Sequence, residues 1–160
     1  MALLEKQLLI KRSKIPGAGK GLFTKKFIPK GTRIIEYKGK ITTWKEVLSG
    51  DEFNGYVYYV TRNHVIDAMA RKNSLGRYAN DARGLSKIKG IVNNTRYVED
   101  GKKVFMEAVK NIPEKTEILV SYGKKYWEVI NENRKIYEKE QKIKQKSNLK
   151  LSKKASKSAR

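Results

Sequence analysis

The chain has 160 residues, 37 of them Lys or Arg against 16 Asp or Glu, with one His and no Cys, which suits one domain with a single core and an appendage. Without Cys there is no disulfide scaffold, cysteine-ligated zinc module or thiol nucleophile, as suits a reducing compartment, and one His argues against Ser-His-Asp chemistry and most histidine-metal sites. The formal charge of +21 creates a field that attracts nucleic acid or anionic lipid but names no activity.

The first twelve residues, MALLEKQLLIKR, hold short apolar pieces broken by Glu5, Lys6 and Gln7. They are too short for a secretory segment or a membrane span, so the expectation is a soluble intracellular protein with no membrane partner. Short β-rich runs follow: QLLIKRS, GLFTKKF, RIIEYKGKIT, GYVYYVTR, HVIDAM, VFMEAV and EILVSY. Each predicts a strand of about five to seven residues. Turns are expected at Pro16-Gly17, Pro29-Lys30-Gly31, Arg62-Asn63 and Asp100-Gly101, and a short helix at Thr43 to Leu48. No long helical pattern separates the strands, so the chain is mainly β, built of several small curled sheets. The interval from Leu75 to Asn94 is polar, Gly-punctuated and irregular, the kind of long segment that is often functional.

After the strands the grain changes. KKYWEVINENRKIYEKEQKIKQK places Trp127, Ile130, Arg134 and Tyr137 at helical intervals. Residues 131–160 hold 11 Lys or Arg and 3 Glu. The end, KLSKKASKSAR, has no apolar periodicity and is expected to be disordered. The domains read as 1–127 for a catalytic unit, 128–146 for a C-terminal helix that could serve as a lid, and 147–160 for a disordered basic tail.

Gly17, Gly19 and Gly21 in IPGAGKGLF form a Gly-rich turn open to a ligand, yet neither GxGxxG nor a Walker pattern is present. Tyrosines are abundant, nine against four Phe, among them Tyr37, Tyr56, Tyr58, Tyr59, Tyr78 and Tyr122. Any one of them reads first as sheet filler. His64 reads as exposed, Asp67 as structural, and Arg71, Lys72, Lys87 and Lys89 as solvated charge.

The order IPGAGKGLF, KGTRIIEYKG, VIDA, GRYANDARG, VFMEAVKNIP and EILVSYG resembles the SET domain of protein-lysine methyltransferases, from about Leu8 to Trp127. The resemblance implies short curved sheets with a C-terminal pseudoknot, plus the helix and basic tail. It implies S-adenosylmethionine as cofactor, held by Gly19, Lys20, Gly21, Arg77, Tyr78, Asn80 and Asp81. Tyr122 would be catalytic, and Tyr37, Tyr56 and Val120 would line the channel for the substrate lysine. Val120 stands where relatives often carry a larger ring that limits methylation. Asn93 or Asn94 would close the pseudoknot.

The family's Asn-His-Ser-Cys block is here Asn80-Asp81-Ala82-Arg83. The resemblance has Asp81 meet the adenine through its backbone. Flanking zinc cysteines are missing, so no metal site is expected, and Tyr126, Trp127 and the start of the helix would cover the cofactor instead. The expected partners are a basic, DNA-associated protein with an accessible lysine, and nucleic acid held non-specifically by the basic tail. The alternative is a catalytically weak SET-like module that acts as a basic nucleic-acid-associated binding protein.

Overall fold

The computed structural model describes residues 3–50, 53–84 and 86–158. The chain divides into two compact units between Ser121 and Tyr122, not after Trp127. Among the described residues, the first unit carries β1 (Leu8–Arg12), β2 (Lys20–Thr24), β3 (Arg33–Glu36), β4 (Lys40–Thr42), β5 (Val57–Thr61), β6 (His64–Asp67), β7 (Thr95–Asp100), β8 (Lys103–Ala108) and β9 (Glu117–Ile118), with the short helix α1 (Trp44–Leu48) after β4.

These strands form three antiparallel sheets in the orders β1-β2-β9, β3-β8-β7 and β4-β6-β5. Each sheet is small because Pro, Gly and Asn interrupt the apolar runs every few residues, and curvature is added by register shifts between Arg33 and Ile35 and between Tyr59 and Thr61. The hairpin turns fall at Arg62-Asn63 and after Asp100, as the sequence predicts. Buried Leu22, Ile28, Ile34, Ile35, Val65, Val104, Met106, Ile112, Ile118 and Val120 fill the interior. Helix α1 starts with a capping box: Thr43 Oγ1 accepts from Glu46 N while Glu46 reaches back to Thr43 N at 2.9 Å.

One strand went unforeseen. TRYVED, now β7, pairs along its whole length with β8, Thr95 opposite Ala108 through Asp100 opposite Lys103. It is an edge strand, with solvent tolerating Arg96, Glu99 and Asp100 on it, and those charges mask its alternation.

The 117–120 segment makes the crossing that the resemblance implies. Leu119 bridges Asn80 and Val120 bridges Thr95, both in parallel, so the segment runs beside both ends of the irregular 80–95 interval. Buried Asn94 locks it, donating through Nδ2 to Glu117 O at 2.8 Å and accepting at Oδ1 from Leu119 N at 2.9 Å. Of the two candidates for this closure, Asn94 holds the crossing segment and Asn93 serves elsewhere.

The second unit holds α2 (Lys124–Ser158). The helix does not stop at residue 146: it continues to Ser158 through most of the segment expected to be disordered, Ala159 and Arg160 lying outside the described residues. Extending an existing helix needs no new nucleus, and Lys, Leu and Gln are good helix formers. Ion pairs one turn apart, Lys124 with Glu128 and Arg134 with Glu138, support its first half. Among the described residues no helix is long and apolar enough to cross a membrane.

Candidate functional site

The Gly-rich turn leads from β1 into β2. Gly17 and Gly19 have φ of 80° and 71°, conformations that only glycine adopts cheaply, and nothing lies within 4 Å of where their Cβ atoms would sit. At Gly21 the reason for glycine differs: a Cβ there would overlap the Glu117 carboxylate and come within 3.2 Å of Ser13 Cα.

Glu117 organises the turn. It is 3% exposed, and its Oε1 accepts from Ser13 Oγ at 2.6 Å while Oε2 accepts from Lys14 N at 2.8 Å. Ser13 Oγ also accepts from Ile15 N at 3.0 Å, and Ser13 N donates to Gly19 O at 2.8 Å, closing the turn on itself. Asn80 joins from the far side, its Nδ2 donating to Lys20 O at 2.9 Å and lying 3.4 Å from Glu117 Oε1. Asn80 Oδ1 accepts no hydrogen bond from the described residues.

Residues 75–78 form a single 3-10 turn packed against β1, β2 and β3. From it the Arg77 guanidinium lies over the Tyr56 ring at 4.2 Å and near the Tyr78 ring at 5.3 Å, and its Nε is buried with no hydrogen-bond partner. Tyr78 is tied down by donating to Lys72 O at 2.8 Å. Gly19, Lys20 and Gly21 are thus joined to the Arg77–Asn80 block through Asn80, and half-exposed Tyr56 meets that block through Arg77.

Three expected site residues are buried. Tyr37 is 6% exposed, donates to Tyr56 O at 2.8 Å and packs against Tyr58 and Tyr97 in a core cluster with Ile66, Ala68 and Val104. Val120 is 0% exposed, held between Asn80 and Thr95. Both belong to the interior, where strand tyrosine and valine are ordinarily spent. Asp81 is 4% exposed, and its Oδ1 accepts from Arg83 N and from Asn93 Nδ2, each at 2.8 Å, while Asn93 Oδ1 accepts from Ala82 N at 2.8 Å. Its carbonyl accepts from Gly84 N at 3.2 Å. The substituted position therefore clasps the irregular loop, and its carbonyl is already engaged. Missed altogether were Glu117 and Ser13. A Glu before ILVSY and a Ser before Lys-Ile-Pro carry no pattern, because their meaning depends on partners about a hundred residues away.

In the second unit, Tyr122 stacks on Trp127 with centroids 5.8 Å apart and planes 12° from parallel, and Tyr126 stands edge-on to both at 4.8 and 5.1 Å. The three rings make one aromatic group at the start of α2.

The family model for the SET domain matches residues 19–123. The chain belongs to the SET domain family. Among solved structures, the methyltransferase domain of human PR domain-containing protein 2 superposes with a TM-score of 0.53 at 22% identity, covering 73% of this chain and 77% of that one, and it shares the fold. No curated protein matches the chain by sequence. The SET match begins at Gly19 and ends at Gly123, so it takes in Gly19 to Gly21 of the turn, the Arg77–Asn80 block and Tyr122, and leaves all of α2 outside.

Proposed function

We propose that this SET domain is an S-adenosylmethionine-dependent methyltransferase acting on lysine side chains of a basic, chromatin-like or nucleoid-associated protein. The hydrogen bond from Asn80 Nδ2 to Lys20 O at 2.9 Å carries the reading, because it draws the Gly turn and the Arg77–Asn80 block into one polar site. The residues present suit that cofactor. The orphaned Arg77 Nε fits a carboxylate, Asn80 Oδ1 fits an ammonium, and the open space at Gly17 and Gly19 admits close backbone approach. When bound, S-adenosylmethionine supplies a sulfonium methyl group that an amine can displace.

The chain's own task is then to hold, orient and keep water out. A lysine with an ordinary pKa of about 10.4 is uncharged only about once in 10³–10⁴ at neutral pH, and the positive excess of the enzyme favours loss of that proton. An ordinary phenol keeps its proton at neutral pH, with a pKa of about 10, so the role assigned to Tyr122 is to orient the reacting groups and not to abstract a proton. Trp127 is assigned to cofactor binding.

Calorimetric titration with S-adenosylmethionine, followed by mass spectrometry of a mixture of basic chromosomal proteins, tests the reading. The expected result is saturable binding and methyl additions on lysine. Tyr122→Phe should keep fold and cofactor affinity and lose most of the turnover, whereas Trp127→Ala should weaken cofactor binding. Absence of both cofactor heat and methylated product would overturn it.

A further inference from the structure

Helix α2 carries a feature that the methyltransferase reading does not use. Lys135, Lys139, Lys142, Lys146 and Lys150 follow one another at spacings of four, three, four and four residues. On an α-helix they fall within an arc of roughly 80° and run about 22 Å along the axis. All five are exposed, and none is ion-paired among the described residues. The sequence continues the same spacing at Lys153 and Lys157.

The stripe is not a balanced solvated face. No Asp or Glu occurs after Glu140. Glu138 and Glu140 stand roughly 80° and 120° away from the stripe's centre, and Glu138 is already paired with Arg134. Lysines one turn apart repel each other, and no acid lies one turn from Lys139, Lys146 or Lys150 to relieve that repulsion. A linear array of phosphates would.

We infer that this face of α2 is a docking surface for duplex DNA, contacted through the phosphate backbone. A single strand of the duplex has a phosphate about every 3.4 Å along the axis, so the described stripe spans enough of them for every lysine to find one. The stripe has no aromatic side chain on which unstacked bases could lie, which disfavours single strands. A helix about 10–12 Å across fits the roughly 12 Å major groove of B-form DNA, and the deep, narrow groove of A-form RNA does not admit it. A membrane surface is disfavoured because interfacial helices gather their apolar residues on one side. Here Ile136 and Ile143 share a side, but Tyr137, Leu149 and Leu151 lie on others.

The test is fluorescence anisotropy with the full chain and a labelled duplex of about two helical turns, titrated across salt concentrations. Wild-type affinity should fall linearly in log–log form, by about 0.9 per phosphate neutralised. Changing Lys139, Lys142, Lys146 and Lys150 together to Gln should reduce that slope by about three to four. Circular dichroism should show the helix retained. Removing the same charge from the first unit, as Lys26, Lys45, Lys102 and Lys110 to Gln, should change the slope by less than about one. Equal losses from both quadruple variants would overturn the inference, leaving only attraction to net charge. Tighter binding to single-stranded DNA, to duplex RNA or to phosphatidylserine vesicles would overturn it too. Cofactor affinity is not among the readouts, so failure of the methyltransferase proposal and failure of this one are separately visible.

Discussion

Glu117 illustrates what one side chain can hold. Its carboxylate accepts from Ser13 and Lys14, its carbonyl accepts from Asn94, and its neighbour across the sheet register is Phe23 of β2. Hydrogen bonds to a charged group are each worth about 1.5–3 kcal/mol. Glu117→Ala should therefore lower the urea midpoint strongly and raise hydrogen exchange at Lys14 and Ile15, while Val129→Ala on exposed helix surface should move neither. Gly21→Ala should also destabilise, because the new methyl overlaps that carboxylate. Shortening the carboxylate with Glu117→Asp should recover part of the loss, giving a coupling of about 0.5–3 kcal/mol in a double-mutant cycle. Additive effects would mean that the two positions do not meet. Asn94→Ala should cost about 1–3 kcal/mol for each of the two backbone groups it leaves unpaired, Leu119 N and Glu117 O. The sequence made the glycines and Asn80 visible through a motif, but a carboxylate satisfied by long-range partners leaves no local trace.

The β4-β6-β5 and β3-β8-β7 sheets share an aromatic cluster in which Tyr58 meets Tyr37 and Tyr97 at 6.3 and 5.0 Å. Burial, and then the charge of Glu99 to which its hydroxyl donates at 3.2 Å, pushes the Tyr58 phenol up to about 12. That is above the ordinary phenol value of about 10. The neutral phenol is the form the fold favours, so its contribution to stability is whole below pH 10 and is lost as pH rises through 12. An absorbance titration should show a late phenol that is lost in Tyr58→Phe and titrates earlier in Glu99→Gln. A shorter element allows a similar test. Thr43→Ala removes the cap of α1 and should cost about 1 kcal/mol in thermal or urea unfolding. Most elements were legible because an apolar alternation between turn residues is a local signal. β7 was not, because an edge strand tolerates exposed charge, and its assignment rests on β8.

For the molecule as a whole, charge is the dominant variable. From Gln141 to Ser158 the chain has seven Lys and no acid, yet it is helical throughout. Self-repulsion should fray that half at low ionic strength and release it as the screening length falls from about 30 Å at 0.01 M salt to about 3 Å at 1 M. The helical signal in circular dichroism should therefore rise with salt, and a variant ending at residue 146 should lose most of that dependence; a flat response in the full chain would contradict it. Composition, six ordered motifs and the strand runs were enough to determine a mainly β SET domain, its Gly turn and its Arg77–Asn80 block, because those signals are local. Only the tertiary structure decided that Tyr37 and Val120 belong to the core, that Asp81 clasps its own loop, that Glu117 anchors the turn and that the basic tail is an ordered helix. Each of these depends on which distant residues meet, and in a fold whose segments cross one another that pairing is a property of the assembled sheets.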